Sequence, residues 1–196
     1  MRTTIRVIAL LVGTFFATSA HAGHHLWAIT EIYSNASGST QFVELFCPDA
    51  NEHLIGPYTL TSTTHSLNFV TNLSSSATAN TWVLAATSNF AALPGGITPD
   101  YIIPANFFPT GGGTINYASG ANTWNYGTVP TDGVNALQRN GSSSPNSPRN
   151  FAGASGSVNL GTVVPATNSW GLIALVGAVL LLASGLLRRR SPTAAA

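Results

Sequence analysis

The chain has no lysine, and in 196 residues it has a single cysteine, Cys47. Without lysine there is no side-chain amine for Schiff-base chemistry and no P-loop lysine to hold a phosphate. One cysteine excludes an internal disulfide, and Cys47 is expected to be a buried, inert thiol. Charge of either sign is sparse, at 7% of residues. Five of the seven arginines (Arg2, Arg6, Arg188, Arg189 and Arg190) lie in the two terminal segments. Between residues 23 and 165 only Arg139 and Arg149 stand against Glu31, Glu44, Asp49, Glu52, Asp100 and Asp132, so two minus six leaves −4. Two arginines cannot build a face that displaces counterions from phosphates, so nucleic acid is not expected as a partner. No G-x-S-x-G nucleophile elbow occurs, and Gly153-Ala154-Ser155-Gly156 is too short to stand for one. No internal repeat is evident, and no long amphipathic helix pattern runs between residues 23 and 165.

What is present is concentrated at the ends. Gly171 to Leu187 is an uncharged run of 17 residues, preceded by Trp170 and closed by Arg188, Arg189 and Arg190. As a helix it would reach roughly 26 Å, the short end of what spans a bilayer. The arginine cluster is expected to stay on the cytoplasmic side and stop the helix. At the other end Arg2 and Arg6 form a basic region, Val7 to Ala17 is a short apolar stretch, and Ala20-His21-Ala22 fits a signal-peptidase site. Cleavage there would make Gly23 the first mature residue. The expected organisation is a signal peptide at 1–22, a folded domain at 23–150, a flexible linker at 151–169, a transmembrane helix with its arginine stop at 170–190, and a cytoplasmic tail at 191–196. The middle of the chain would then be exported across the inner membrane. It would remain membrane-anchored, or reach the cell surface or the extracellular space after processing.

That middle is rich in Ser, Thr, Asn and Gly, while Trp27, Trp82 and Trp124 argue against disorder. Short β-rich segments alternate with turn signals, which predicts an all-β sandwich. Expected strands are Leu26 to Tyr33, Thr40 to Cys47, Tyr58 to Thr61, Ser66 to Val70, Thr81 to Ala86, Asp100 to Ile103, Thr114 to Tyr117, Thr123 to Tyr126 and Ala136 to Arg139. Ser88 to Leu93 reads as one helical turn with Ser88 as its N-cap. Gly111 to Gly113 reads as a loop, and Asn140 to Pro148 as a long flexible turn.

Two resemblances refine this. Val164-Pro165, Trp170-Gly171, the apolar run and Arg188 to Arg190 together resemble the IPTL-CTERM sorting signal, a relative of PEP-CTERM. That resemblance implies export, surface sorting and a sorting or processing peptidase as a partner besides signal peptidase. Ile29-Thr30-Glu31-Ile32, a Gly-containing turn, Gln41-Phe42-Val43-Glu44-Leu45 and Leu54-Ile55-Gly56 are similar to the lamin tail domain. This second resemblance implies an immunoglobulin-like β-sandwich with a glutamate at each of the positions 31 and 44 and no catalytic activity.

Glu31 and Glu44 lie on strands expected to pair as a hairpin, where two carboxylates on one face can act as acid and base or hold a metal. The lamin-tail resemblance makes them structural. A mature start at Gly23-His24-His25 would offer an amine, two amides and the His25 imidazole to Cu(II) or Ni(II), against the plainer reading of a solvated strand start. Asp49, Glu52, Asp100 and Asp132 could bridge loops through Ca²⁺, but they lack the spacing of a calcium loop. His53 and His65 read as surface residues, and a Cys47–His pair has no supporting motif. Trp82, Trp124, Tyr117 and Tyr126 are either core or a sugar-stacking platform. Asn35, Asn72 and Asn140 begin N-x-S sequons, which matter only in a eukaryotic source. The expectation is a non-enzymatic exported surface protein without a cofactor, engaged in adhesion, matrix or envelope contacts with an unidentified surface ligand. A carbohydrate-binding module and a metal-dependent secreted hydrolase are the alternatives.

Overall fold

The computed structural model describes residues 23–161. The expected leader with Ala20 and Ala22, and the sorting segment from Val164 and Pro165 through Trp170, Gly171 and Arg188 to Arg190, lie outside the described residues. Within them the chain is almost wholly β. Ten strands form two sheets. The first sheet has the order β10 (Ser143–Pro145), β9 (Asn135–Gln138), β1 (Ala28–Ser34), β2 (Gln41–Cys47), β5 (Thr81–Thr87), β6 (Tyr101–Ile103). The second has the order β4 (Ser66–Asn68), β3 (Thr59–Ser62), β7 (Gly113–Tyr117), β8 (Asn122–Tyr126). All pairings are antiparallel except β5 with β6.

Alternation explains the two layers. On β2, Val43, Leu45 and Cys47 point inward, and on β7 and β8 so do Ile115, Tyr117, Trp124 and Tyr126. These residues meet Ile29, Ile32, Val83, Ala85 and Leu60 in one core between the sheets. Burying that many aliphatic and aromatic side chains, at about 1.5–3 kcal/mol each, is what holds the two sheets together.

The β1–β2 hairpin carries a bulge. Ile29 pairs with Leu45, but Glu31 pairs with Glu44, so Thr30 is the extra residue. Strict alternation would put Ile29 and Glu31 on one face. The bulge reverses the parity, so that Ile29 and Ile32 both enter the core while Glu31 and Tyr33 turn to the opposite, outer face.

That outer face is not bare. Tyr33, Phe42, Leu84, Ala86 and Ala136 form a second apolar cluster there with Phe90 and Val158. Phe90 belongs to a single 3₁₀ turn, Phe90–Ala92, whose N-cap is Asn89, in place of the expected Ser88. Asn89 makes no cap bond. Its carboxamide instead accepts from Thr87 Oγ1 at 2.7 Å and donates to Thr40 Oγ1 at 2.9 Å.

Val158 comes from the segment expected to begin the flexible linker. Residues 151–161 are in fact laid on the sandwich. Ser157 N–H donates to Gly95 O at 3.0 Å, and Leu160 N–H to Gly133 O at 2.7 Å. Gly95 (φ +77°) allows this approach, because a Cβ there would fall 2.0 Å from Ser157 O. The stretch Asn140 to Pro148, expected as a long flexible turn, contains β10 and the buried Asn146. Apolar alternation was too weak in both stretches to announce this. Their order comes from backbone and carboxamide hydrogen bonds.

Candidate functional site

The Glu31–Glu44 pair is the strongest chemical feature among the described residues. The two are cross-strand partners on the outer face of the six-stranded sheet, and both are buried. Asp100, at the foot of β6, adds a third carboxylate on the same side. The segment Ser147 to Phe151 passes over all three, and alternate backbone amides of that segment dock on them. Ser147 N–H donates to Glu31 Oε1 at 2.8 Å, and its hydroxyl to Oε2 at 2.9 Å. Arg149 N–H donates to Glu44 Oε2 at 2.8 Å. Phe151 N–H donates to Asp100 Oδ2 at 2.9 Å, the oxygen that also accepts Leu84 N–H at 2.8 Å. Between these positions Pro148 has no N–H to satisfy.

Glu44 is the most heavily engaged of the three. Besides the Arg149 amide it accepts the Arg149 guanidinium at 3.2 Å and Thr30 Oγ1 at 3.1 Å. The guanidinium in turn lies over the Trp82 ring, 3.9 Å from its centroid. Burial pushes the Glu44 carboxyl up to about 7, although Arg149 and Thr30 pull it down; the nearby Glu31 charge adds to the rise. Burial likewise raises Asp100, against its two amide donors.

An acid–base pair needs carboxylate oxygens open to a substrate or water. Here the oxygens face the covering segment and are occupied by it. Asn146 completes the attachment: its amide nitrogen donates to Val134 O and Val158 O at 2.6 Å each, and its oxygen accepts Val158 N–H at 2.8 Å. Asn146, Ser147, Arg149 and Asp100 were not singled out as a group by the sequence. The available signal was the pairing of buried-position glutamates with a later Ser-x-Arg, which has no fixed spacing to search for.

The other candidates are dispersed. Gly23 O accepts Leu54 N–H at 2.7 Å, and His24 O accepts Tyr117 Oη–H at 2.8 Å. The His24 ring stacks on Tyr58 with centroids 3.6 Å apart, and His25 Nδ1 lies 3.6 Å from Glu52 Oε1. The Gly23–His25 segment is therefore packed on the sandwich, which differs from a solvated strand start. Glu52 is buried beneath it and accepts Leu26 N–H at 3.2 Å. Asp132 caps its own turn, accepting Val134 N–H and Asn135 N–H at 2.8 and 2.7 Å, and these amides hold its carboxyl below the usual range. Asp49 stands beside a cavity of about 290 Å³ with His25 and Asn51. Among the described residues no group of three or more His, Cys, Asp or Glu side chains is placed to hold a metal ion.

Cys47 is buried, donates to Asp49 O at 3.2 Å, and has its thiol pushed up by burial. His65 is exposed as expected, whereas His53 is half-buried with its Nδ1 enclosed. Of the four aromatics that a sugar platform would need, Tyr117, Trp124 and Tyr126 are core residues, and Trp82 lies under Arg149. No two of them form an exposed flat face.

No family model matches the chain, and neither the curated proteins nor the solved structures contain a match to it.

Proposed function

We propose that the protein is a non-enzymatic exported surface protein, in which an immunoglobulin-like sandwich of the lamin-tail kind is displayed outside the inner membrane. The observation that carries the non-enzymatic part is the occupation of Glu31, Glu44 and Asp100 by the amides of Ser147, Arg149 and Phe151. The carboxylate pair that acid–base chemistry would need serves to hold the chain's own segment Ser147 to Phe151. The lamin-tail likeness is supported by the two-layer, mostly antiparallel architecture and by the pairing of the Ile29–Ile32 and Gln41–Leu45 segments as central strands. Display rests on the sequence at both ends: the basic and apolar leader, the Ala20-His21-Ala22 site, and the Trp170–Arg190 segment.

The direct test is fractionation of cells producing the full chain beside a variant lacking Trp170 to Arg190, with mass determination of both termini. The reading expects Gly23 as the mature start, membrane or surface association of the full chain, and release of the deletion variant. An intact leader on a cytosolic protein would overturn it.

A further inference from the structure

The Gly23–His25 segment is pinned to the sandwich through its peptide oxygens. Residues 23–26 form a turn. Gly23 O accepts Leu54 N–H at 2.7 Å, and His24 O accepts Tyr117 Oη–H at 2.8 Å. Burial, with the Glu52 charge behind it, pushes the Tyr117 hydroxyl's pKa up, so it stays protonated and donates. The His24 ring stacks on Tyr58, and Trp27 Nε1–H donates to Glu52 O at 2.6 Å. In a trans peptide the N–H and C=O point opposite ways. With both oxygens turned onto the sandwich, the nitrogens of His24 and His25 are turned away from those two donors.

The Glu52 carboxylate lies within this turn. Its Oε2 accepts Leu26 N–H at 3.2 Å, whereas its Oε1 is buried with no hydrogen-bond partner among the described residues. His25 Nδ1 lies 3.6 Å from Oε1, too far for a hydrogen bond. A buried carboxylate oxygen left unmatched is costly, and a cation would match it. The His25 side chain is exposed and borders the cavity of about 290 Å³ that Asp49 and Asn51 also line. The cavity gives an ion from solvent a path to Nδ1.

We propose that Gly23-His24-His25, once it is the mature start, is a Cu(II) site built into the sandwich. The inference rests on cleavage after Ala22, as in the reading above, which turns the Gly23 nitrogen into an amine. The ion is held in a square plane by that amine, the amide nitrogens of His24 and His25, and His25 Nδ1. Two amide protons leave to water as the two metal–amide bonds form. Each peptide unit then carries a negative charge shared with its oxygen, and these oxygens are the two that Leu54 and Tyr117 already hold. Hydrogen bonds to a charged acceptor are roughly twice as strong as to a neutral one, so the sandwich stabilises the metal-bound form. Glu52 Oε1 is closed off by the same turn, so it meets only an ion that the turn carries, and it supplies an axial oxygen. A plane of nitrogens with an axial oxygen is a tetragonal set, which suits Cu(II), the tightest-binding of the divalent first-row ions. The His24 ring stays on Tyr58 and is not a ligand.

The test uses the mature full chain purified from membranes in a polyoxyethylene detergent, with both termini defined by mass and Cu(II) alone as the probe. One Cu(II) per chain is expected, retained against excess glycine. It should show a violet absorption and the nitrogen splitting of an all-nitrogen plane in electron paramagnetic resonance. His25→Ala, or one alanine inserted between Ala22 and Gly23, should abolish this complex, whereas His24→Ala should keep it. Tyr117→Phe removes the donor from His24 O and keeps the ring. It should weaken copper binding about tenfold, with unchanged far-ultraviolet circular dichroism. Copper lost to glycine, the same complex in His25→Ala or in the extended start, or indifference to Tyr117→Phe would overturn the inference. A mature start other than Gly23 overturns it together with the cleavage site proposed above. A protein found at the surface, starting at Gly23 and holding no copper, removes this inference alone.

Discussion

Arg149 meets Glu44 twice, through its backbone N–H at 2.8 Å and through its guanidinium at 3.2 Å, across 105 residues of sequence. The pair fastens the segment Ser147 to Phe151 to a central strand. Removing the carboxylate leaves an amide and a guanidinium facing an apolar gap. Glu44→Ala is therefore expected to lower stability by about 3 kcal/mol, measured by urea denaturation. Glu44→Gln keeps an acceptor for the amide and avoids burying a charge, so it should cost less than half as much.

The raised Glu44 carboxyl has a pH signature. A carboxyl held at about 7 in the fold and near 4.5 when unfolded takes up a proton on folding between those values. Stability then falls as pH rises through that window and is greatest toward its lower end, by linkage. Asp100, also raised, acts in the same direction. Asp132, held low by its own turn, acts oppositely: its contribution is present above the ordinary 3.8 and lost as pH falls through its folded value. Denaturation curves between pH 4.5 and 7.5 should show the decline, and Glu44→Gln should flatten most of it. A stability rising with pH across this range in the parent chain would reverse the assignment.

Asn146 fixes Val158 in the outer apolar cluster by two hydrogen bonds and ties it to Val134 O by a third. Asn146→Ala should cost about 2–3 kcal/mol, because the buried N–H and C=O of Val158 lose their side-chain partner. The damage should be local first. Limited proteolysis is expected to cut between residues 150 and 161 before it touches the strands.

The aromatic residues divide sharply by position. Trp124 is 6% exposed in the inter-sheet core, so Trp124→Ala should cost about 3–5 kcal/mol. Trp82 is half-buried on the outer face beneath Arg149, so Trp82→Ala should cost about 1–2 kcal/mol through lost stacking. Thermal unfolding of the two variants compares them directly.

Much of this fold is legible in the sequence because alternation and turn chemistry are local. The hairpin of Glu31 and Glu44 follows from β-rich segments flanking Asn35 to Ser39, and most other expected strands lie within a residue or two of the observed ones. The Thr30 bulge is not legible, because nothing in the Ile-Thr-Glu-Ile run marks an unpaired residue. Nor is the attachment of residues 146–161. Their Pro, Ser, Asn and Gly content signals turns, and the groups that order them (Glu31, Glu44, Asp100, Gly95 and Gly133) are distant in sequence. The same distance hid the answer to the glutamate question. Two carboxylates on one face is a pattern readable from spacing, but whether their oxygens are open depends on a segment more than a hundred residues later.

The most direct test of this account is native-state hydrogen exchange at the amides of Ser147, Arg149 and Phe151. If Glu31, Glu44 and Asp100 hold these amides as described, all three should be protected to nearly the free energy of global unfolding at neutral pH, and Glu44→Ala should strip protection from Arg149 first. Exchange of the three amides at the rate of an open loop in the parent protein would contradict it, because the carboxylates would then be free for other chemistry.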